Sequence, residues 1–232
     1  DEANTGLAFV SLTEDGERDF AFYRKPSADM LMNHVEVNFT SADILHFCSV
    51  DLIPSAMKDT HVQVIEQMHA AGGTVVFDPN LRFPLWPSKE ALKETVLEFL
   101  PHAHIIKISD EELEFLTGSS HTDSIQSLFN GYTQVVIYTQ GANGASIYTK
   151  DGCIASHPGY TVNVQDTTGA GDAFIGATIY QLLGHDAIQY IKQHAAAILT
   201  FSNSVGALTT TNKGAIQSLP ALLDIRRLKE EQ

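Results

Sequence analysis

From residue 41 onward, short apolar runs alternate with longer segments in which apolar residues recur every three or four positions, the two periods that separate strands from helices. DILHFCSV (43–50), TVVFD (74–78), HIIKI (104–108) and QVVIYT (134–139) predict strands. Residues 55–71 carry Met57, Val64, Ile65 and Met68 at helical spacing and stop at Gly72-Gly73, where a left-handed residue can end a helix. Further helices are predicted over 88–100 and 110–116, and a pair of strands over 145–149 and 153–157. Beyond residue 170 the pattern is helical, through 170–183, 186–202 and 221–229. Repetition of strand, helix and strand implies an α/β architecture with a mostly parallel sheet flanked by helices on both faces. In such sheets ligands bind beyond the carboxyl ends of the strands. The opening differs: GLAFVSL (6–12) and DFAFYR (19–24) are strand-like and joined through Asp15-Gly16, a hairpin turn signal. A lone hairpin is marginal, so it must lean on another sheet or on a partner chain. Residues 1–40 are therefore expected to form a small β appendage with its connection, and residues 41–232 the core.

Composition narrows the possible partners. A 232-residue chain with 44% hydrophobic residues can bury the core of one large domain. Lys and Arg number 14 against 28 Asp and Glu, a net charge of −14, which repels a nucleic-acid backbone or an anionic membrane surface. A small anion can still be held by backbone dipoles. Cys48 and Cys153 each fall in an apolar strand-like run and are expected as buried free thiols of a reducing compartment. No run reaches the roughly 18 apolar residues of a membrane span, and the leading DEANTG lacks the regions of a signal peptide; the expectation is a cytoplasmic protein. His102 and His104 share a face at a strand start, with no third metal ligand in view.

The densest chemistry is QDTTGAGDAF (165–174). Gly169 and Gly171 let the backbone turn sharply and approach a ligand, and the apolar run from Ala173 begins a helix. The unpaired N–H groups of that first turn, with the positive end of the helix dipole, make an anion hole that needs no lysine. Asp172 would stand beside the bound anion. It either complements the helix N-terminus or works as a general base, taking the proton of an alcohol that attacks a phosphorus held by the amides. GAGDAF also resembles the start of a dinucleotide fingerprint, but Phe174 stands at its third glycine position. The chain contains no G-x-x-x-x-G-K-[ST], G-x-S-x-G or H-E-x-x-H.

DTTGAGDAF resembles the signature of the PfkB, or ribokinase-like, carbohydrate kinases. FDPNLR with LW (77–82, 85–86), KISDEELEFLTG (107–118), YTQGANGAS (138–146), VGALTTTNKGAIQSLP (205–220) and FYRKPSAD (22–29) are similar to its fructokinase-like branch. The resemblance implies a three-layer ribokinase-like fold with a small β lid, and ATP-dependent transfer of a phosphoryl group to a sugar hydroxyl, with fructose as the acceptor. It implies that Asp172 is the base and that Gly169, Ala170 and Gly171 form the anion hole. Asn80 and Arg82 would face the phosphates or the sugar, although a surface ion pair also accounts for Arg82. Lys107, Thr139, Gly141 and Gly144 would serve the nucleotide site, with Asn203, Gly206 and residues 209–214 around the adenine. Glu112 matches the end of the family's Asn-x-x-Glu motif, in which Ser109 replaces the Asn, and would manage Mg²⁺ indirectly. Asp166 and Thr168 would shape the loop and a monovalent-cation site for K⁺. The hairpin resembles part of a lid that closes over the sugar, excludes water and pairs with its twin in a homodimer; Phe20, Phe22 and Tyr23 are lid contacts or plain hairpin packing. The family's first strand, its sugar-gripping aspartate and its Gly-Gly-x-x-x-Asn segment precede this hairpin elsewhere and do not occur here, so this stretch alone is expected to bind nucleotide better than sugar. A 2-keto-3-deoxygluconate or nucleoside kinase, and a nucleotide-binding relative without catalysis, are the alternative readings.

Overall fold

Strand runs rich in Val, Ile and Phe place alternate side chains on opposite faces, and in this protein both faces are covered. A computed structural model describes residues 3–12, 18–24 and 26–231. The hairpin comprises β1 (Leu7–Leu12) and β2 (Arg18–Tyr23), paired antiparallel with Leu7 opposite Tyr23. The Asp15-Gly16 turn and the side chain of Phe20 lie outside the described residues. The main sheet contains β3 (Ile44–Cys48), β4 (Thr74–Asp78), β5 (Ile105–Ser109), β6 (Val135–Thr139), β7 (Ala145–Thr149) and β8 (Gly152–His157), in that spatial order. The first four strands run parallel, and β7 and β8 complete the sheet antiparallel.

One face buries Phe47, Phe77, Ile106, Ile108, Val136 and Tyr138 against helices α1 (Ala56–Ala71), α2 (Lys89–Phe99) and α3 (Asp110–Thr117). The other buries Val76, Ile105, Ile137 and Ile147 against α4 (Ala170–Leu182) and α5 (Ala187–Thr209). Helix α6 (Leu222–Glu231) packs on α5. Three layers result. Local chemistry sets the limits of α1: the Ser55 side chain accepts from the Lys58 amide at its start, and Gly72 ends it at φ 73°, the left-handed cap that glycine adopts without penalty.

Helix α5 runs seven residues past the expected end at 202. The polar trio Ser202-Asn203-Ser204 suggests a helix exit, but its groups are satisfied inside. The Ser202 hydroxyl meets that of Thr178 on α4 at 2.8 Å, and Asn203 Nδ2 donates to the Leu199 carbonyl at 2.8 Å. The cysteines also depart from expectation, since Cys153 is exposed on β8 and Cys48 only half-buried. Strand β8 lies at the sheet edge, which leaves alternate positions uncovered.

Among the described residues, Phe22 and Arg24 tie the hairpin to the core. Phe22 packs against the α1–α3 side of the core. The Arg24 guanidinium hydrogen-bonds the carboxylates of Asp29 and Asp51 and donates to the Val50 carbonyl at 3.0 Å, joining the end of β2 to the segment after β3. Leu7, Phe9 and Tyr23 remain exposed, with the Phe9 and Tyr23 rings edge-on at 5.5 Å. At the opposite end of the sheet, His69 Nε2 donates to the His102 carbonyl at 2.9 Å, and His104 Nδ1 accepts from the Val75 amide at 3.0 Å. Among the described residues no cluster of three or more His, Cys, Asp or Glu can hold a metal ion, and no helix is long and apolar enough to cross a membrane.

Candidate active site

The carboxyl ends of β4, β5 and β6 converge on the start of α4. Gly169 is the cap of α4, at φ 79°, and a methyl there would stand 2.8 Å from the Ala215 side chain; both the backbone conformation and the close approach require glycine. The next residues leave donors open. The amides of Gly169, Gly171 and Asp172 have no protein partner among the described residues, whereas that of Ala170 donates to the Thr167 carbonyl at 3.3 Å. The anion hole expected from residues 169–171 is therefore narrower at Ala170, because the tight turn before the helix engages that N–H. Asp172, exposed in the first turn, widens it with an amide of its own.

Asn80 follows β4 in a left-handed conformation (φ 44°) and donates through Nδ2 to Asp172 Oδ1 at 3.2 Å. Beneath them lies a buried ion pair: Lys107 Nζ donates to Asp78 Oδ1 at 3.1 Å, with Lys107 7% and Asp78 1% exposed. Burial pushes the Asp78 carboxyl up, to about 7; the Lys107 ammonium pulls it down, while Glu112 and Asp172 add to the rise. Burial alone would lower Lys107, but Asp78, Glu112 and Asp172 together hold its ammonium above the usual lysine range. Lys107 stays cationic, since three carboxylates face it.

Glu112 is buried in a capping box, its Oε2 accepting from the Ser109 amide at 2.9 Å and Ser109 Oγ accepting from its own amide at 3.2 Å. Its Oε1 accepts from the Leu81 amide at 3.2 Å, so one carboxylate binds the start of α3 to the loop after β4. Arg82 is half-buried, its Nη1 donating to the Leu81 carbonyl at 3.1 Å. Asp166 Oδ1 accepts from the Thr168 amide at 2.9 Å and hydroxyl at 2.6 Å, and its Oδ2 accepts from the Gly214 amide at 2.9 Å. The loop before α4 is thereby fastened to the segment after α5.

A cavity of about 400 Å³ opens beside this helix start, lined by Thr139, Gly141, Ala170, Gly171, Asn203 and Gly206, and by residues 159–162 and Val164. Gly144 and Lys107 are not among the residues that line this cavity. At φ 83° Gly144 packs under residues 157–159, where a methyl would stand 1.9 Å from the His157 carbonyl oxygen. Lys107 lies below the floor rather than in the wall. Asp172 and Gly169 border a second, apolar hollow of about 690 Å³ between α4, α5 and α6. Sequence reasoning missed Tyr160 and Val162 in the cavity wall, in an irregular segment without a period to reveal it. It did not pair Asp78 with Lys107, for which the sequence does carry a signal: a lysine inside an apolar strand needs a buried partner.

The profile of the pfkB family carbohydrate kinases matches residues 1–222. The chain belongs to that family. Among its kinase relatives, a probable fructokinase-2 of Arabidopsis thaliana is 42% identical over 225 residues, covering 94% of this chain and 68% of that protein. Fructokinase-2 of Solanum lycopersicum is 43% identical over the same shares. In three dimensions this kinase superposes on the fructokinase of Vibrio cholerae O395 in its fructose-, ADP- and calcium-bound form, with a TM-score of 0.82, 33% identity and coverage of 95% of this chain and 72% of that one. The ATP-bound fructokinase of Xylella fastidiosa gives a TM-score of 0.84 at 32% identity, over 99% and 74% of the two chains. The ribokinase-like fold expected from the sequence is thus found.

Proposed function

We propose that this kinase transfers the γ-phosphoryl group of ATP to a hydroxyl of fructose, with Asp172 as the base. The observation that carries this reading is the Asp172 carboxylate, with one oxygen held by Asn80, beside the unpartnered amides of Gly171 and Asp172 at the positive end of a 13-residue helix whose Ala170 and Gly171 line the nucleotide-sized cavity. In the transfer, a sugar oxygen forms a bond to the γ-phosphorus as its proton passes to the Asp172 carboxylate, and the bond from phosphorus to the β–γ bridging oxygen breaks, releasing ADP. Amides aimed at the migrating group meet the charge that develops on its oxygens. The adenine would lie between Asn203, Gly206 and the wall at residues 159–162 and Val164, and Gly141 would border the nucleotide. Asn80 and Arg82 support the phosphate end from the loop after β4.

The donor set fits Mg²⁺ carried in with the nucleotide rather than caged by protein: Glu112 is the carboxylate near the β4 loop, and two backbone N–H groups already bind it. Held by phosphate oxygens and water with Glu112 behind them, the ion would neutralise phosphate charge. Asp166 and Thr168 order the loop where K⁺ would sit, although both Asp166 oxygens already accept hydrogen bonds, so backbone carbonyls would supply its ligands. The outward face of the hairpin, Leu7, Phe9 and Tyr23, supports a lid that pairs with its twin in a homodimer. ADP formation by the full-length protein, measured with fructose, 2-keto-3-deoxygluconate and nucleosides in turn, tests the acceptor. Turnover that depends on fructose is expected; ATP binding without sugar-dependent turnover contradicts the reading.

A further inference from the structure

Lys107 has a role still to be filled. Its buried ammonium gives one of three N–H donors to Asp78, and the other two meet no partner among the described residues. A methyl placed on Gly171 would stand 3.5 Å from Nζ, so the ammonium lies directly beneath the open amides of α4. The groups that face it are His46 on β3, Asp78 on β4, Glu112 on α3 and Asp172 on α4. Taking such a pair out of water costs about as much as its own attraction returns, and a neutral pair of the same size is often as stable. Stability therefore gives little reason for burying a cation with two idle donors next to an anion hole.

We propose that Lys107 contacts the migrating phosphoryl group from beneath Gly171, and that Asp78 is the positioning residue that holds the ammonium there. This rests on the phosphoryl-transfer reading above. Charge builds on the phosphoryl oxygens as the group leaves ADP, and a cation fixed in a dry site needs no reorganisation to meet it. Lys107 keeps its proton throughout; its contribution is charge and two hydrogen bonds. Because it lies under the floor and not in the nucleotide wall, its contact strengthens in the transition state, which lowers the barrier without tightening ground-state binding.

The test compares Lys107→Met, Asp78→Asn and the double variant with the parent in steady-state kinetics on the full-length protein. The double variant replaces the ion pair with neutral groups of similar size and so keeps a folded protein for assay even where a single change does not. Its kcat is expected to fall about 100-fold or more, with KM for ATP and for fructose within about threefold of the parent. The double variant should be no slower than Lys107→Met, because Asp78 acts only through Lys107. A double variant with parental kcat, an Asp78→Asn loss that persists in the Lys107→Met background, or a loss confined to KM for ATP overturns the proposal. Failure of the underlying reading looks different: Asp172→Asn then turns over as fast as the parent. Calorimetric binding of ADP with aluminium fluoride, a mimic of the planar phosphoryl group, tests the pair without turnover. The parent is expected to bind that complex at least about tenfold more tightly than the double variant does, with equal ADP affinity; equal binding of the mimic overturns the proposal.

Discussion

Asn80 and Asp172, 92 residues apart in the chain, meet in one hydrogen bond, Nδ2 to Oδ1 at 3.2 Å. The bond fixes one carboxylate oxygen and leaves Oδ2 without a partner among the described residues. Two substitutions separate orientation from backbone strain at this position. Asn80→Gly keeps the left-handed backbone (φ 44°) and removes the donor, so kcat should fall about tenfold, the worth of one oriented hydrogen bond, with urea stability near the parent's. Asn80→Ala should show the same kinetic loss and in addition lose about 1 kcal/mol of stability to the strained φ. Equal stability of the two variants would show that the backbone there relaxes.

Gly144 and Gly141 both have positive φ, 83° and 54°, but only Gly144 is crowded, with the His157 carbonyl 1.9 Å from a would-be methyl and open space around Gly141. Gly144→Ala should therefore destabilise the protein by more than about 2 kcal/mol and weaken ATP binding by shifting the wall at residues 157–159. Gly141→Ala should cost about 1 kcal/mol from strain alone. Urea unfolding and ATP titration of the pair check this, and similar losses in both would contradict the assigned packing.

Asp78 gives a pH dependence whose sign follows from burial. In an unfolded chain an aspartate titrates near about 3.9, while in the fold burial pushes Asp78 up to about 7. The stability this group contributes is therefore full below about pH 4 and is lost as pH rises through about 7. Asp78→Asn removes that loss, so its unfolding free energy relative to the parent should climb between about pH 4 and pH 7 and level off above that. A difference that stays flat over this range would mean that Lys107 keeps the carboxylate ionised throughout.

The sequence was legible where a period or a specific motif carried the information. Strands β3 to β8 and the helices between them follow from alternation and three-to-four spacing, and 165–174 announces the helix start with its glycines and aspartate. The end of α5 was not legible, because a buried serine and asparagine satisfied by Thr178 and Leu199 look the same in sequence as a polar exit. Residues 159–162 and Val164 carry no pattern, and only the turn of the chain behind Gly144 brings them to the cavity. The Asp78–Lys107 pair depends on register: Val76 lies beside Ile105 and Phe77 beside Ile106, an alignment that spacing along the chain does not reveal. That the Ala170 amide is engaged by the Thr167 carbonyl was hidden for a similarly local reason, the turn that precedes the helix.

Turnover of the Asp172→Asn variant with ATP and fructose tests the central claim most directly, since the change is nearly isosteric and removes the basic oxygen while keeping the amide of residue 172. The account predicts a kcat lower by about a thousandfold with ATP affinity unchanged; a variant as fast as the parent would contradict it.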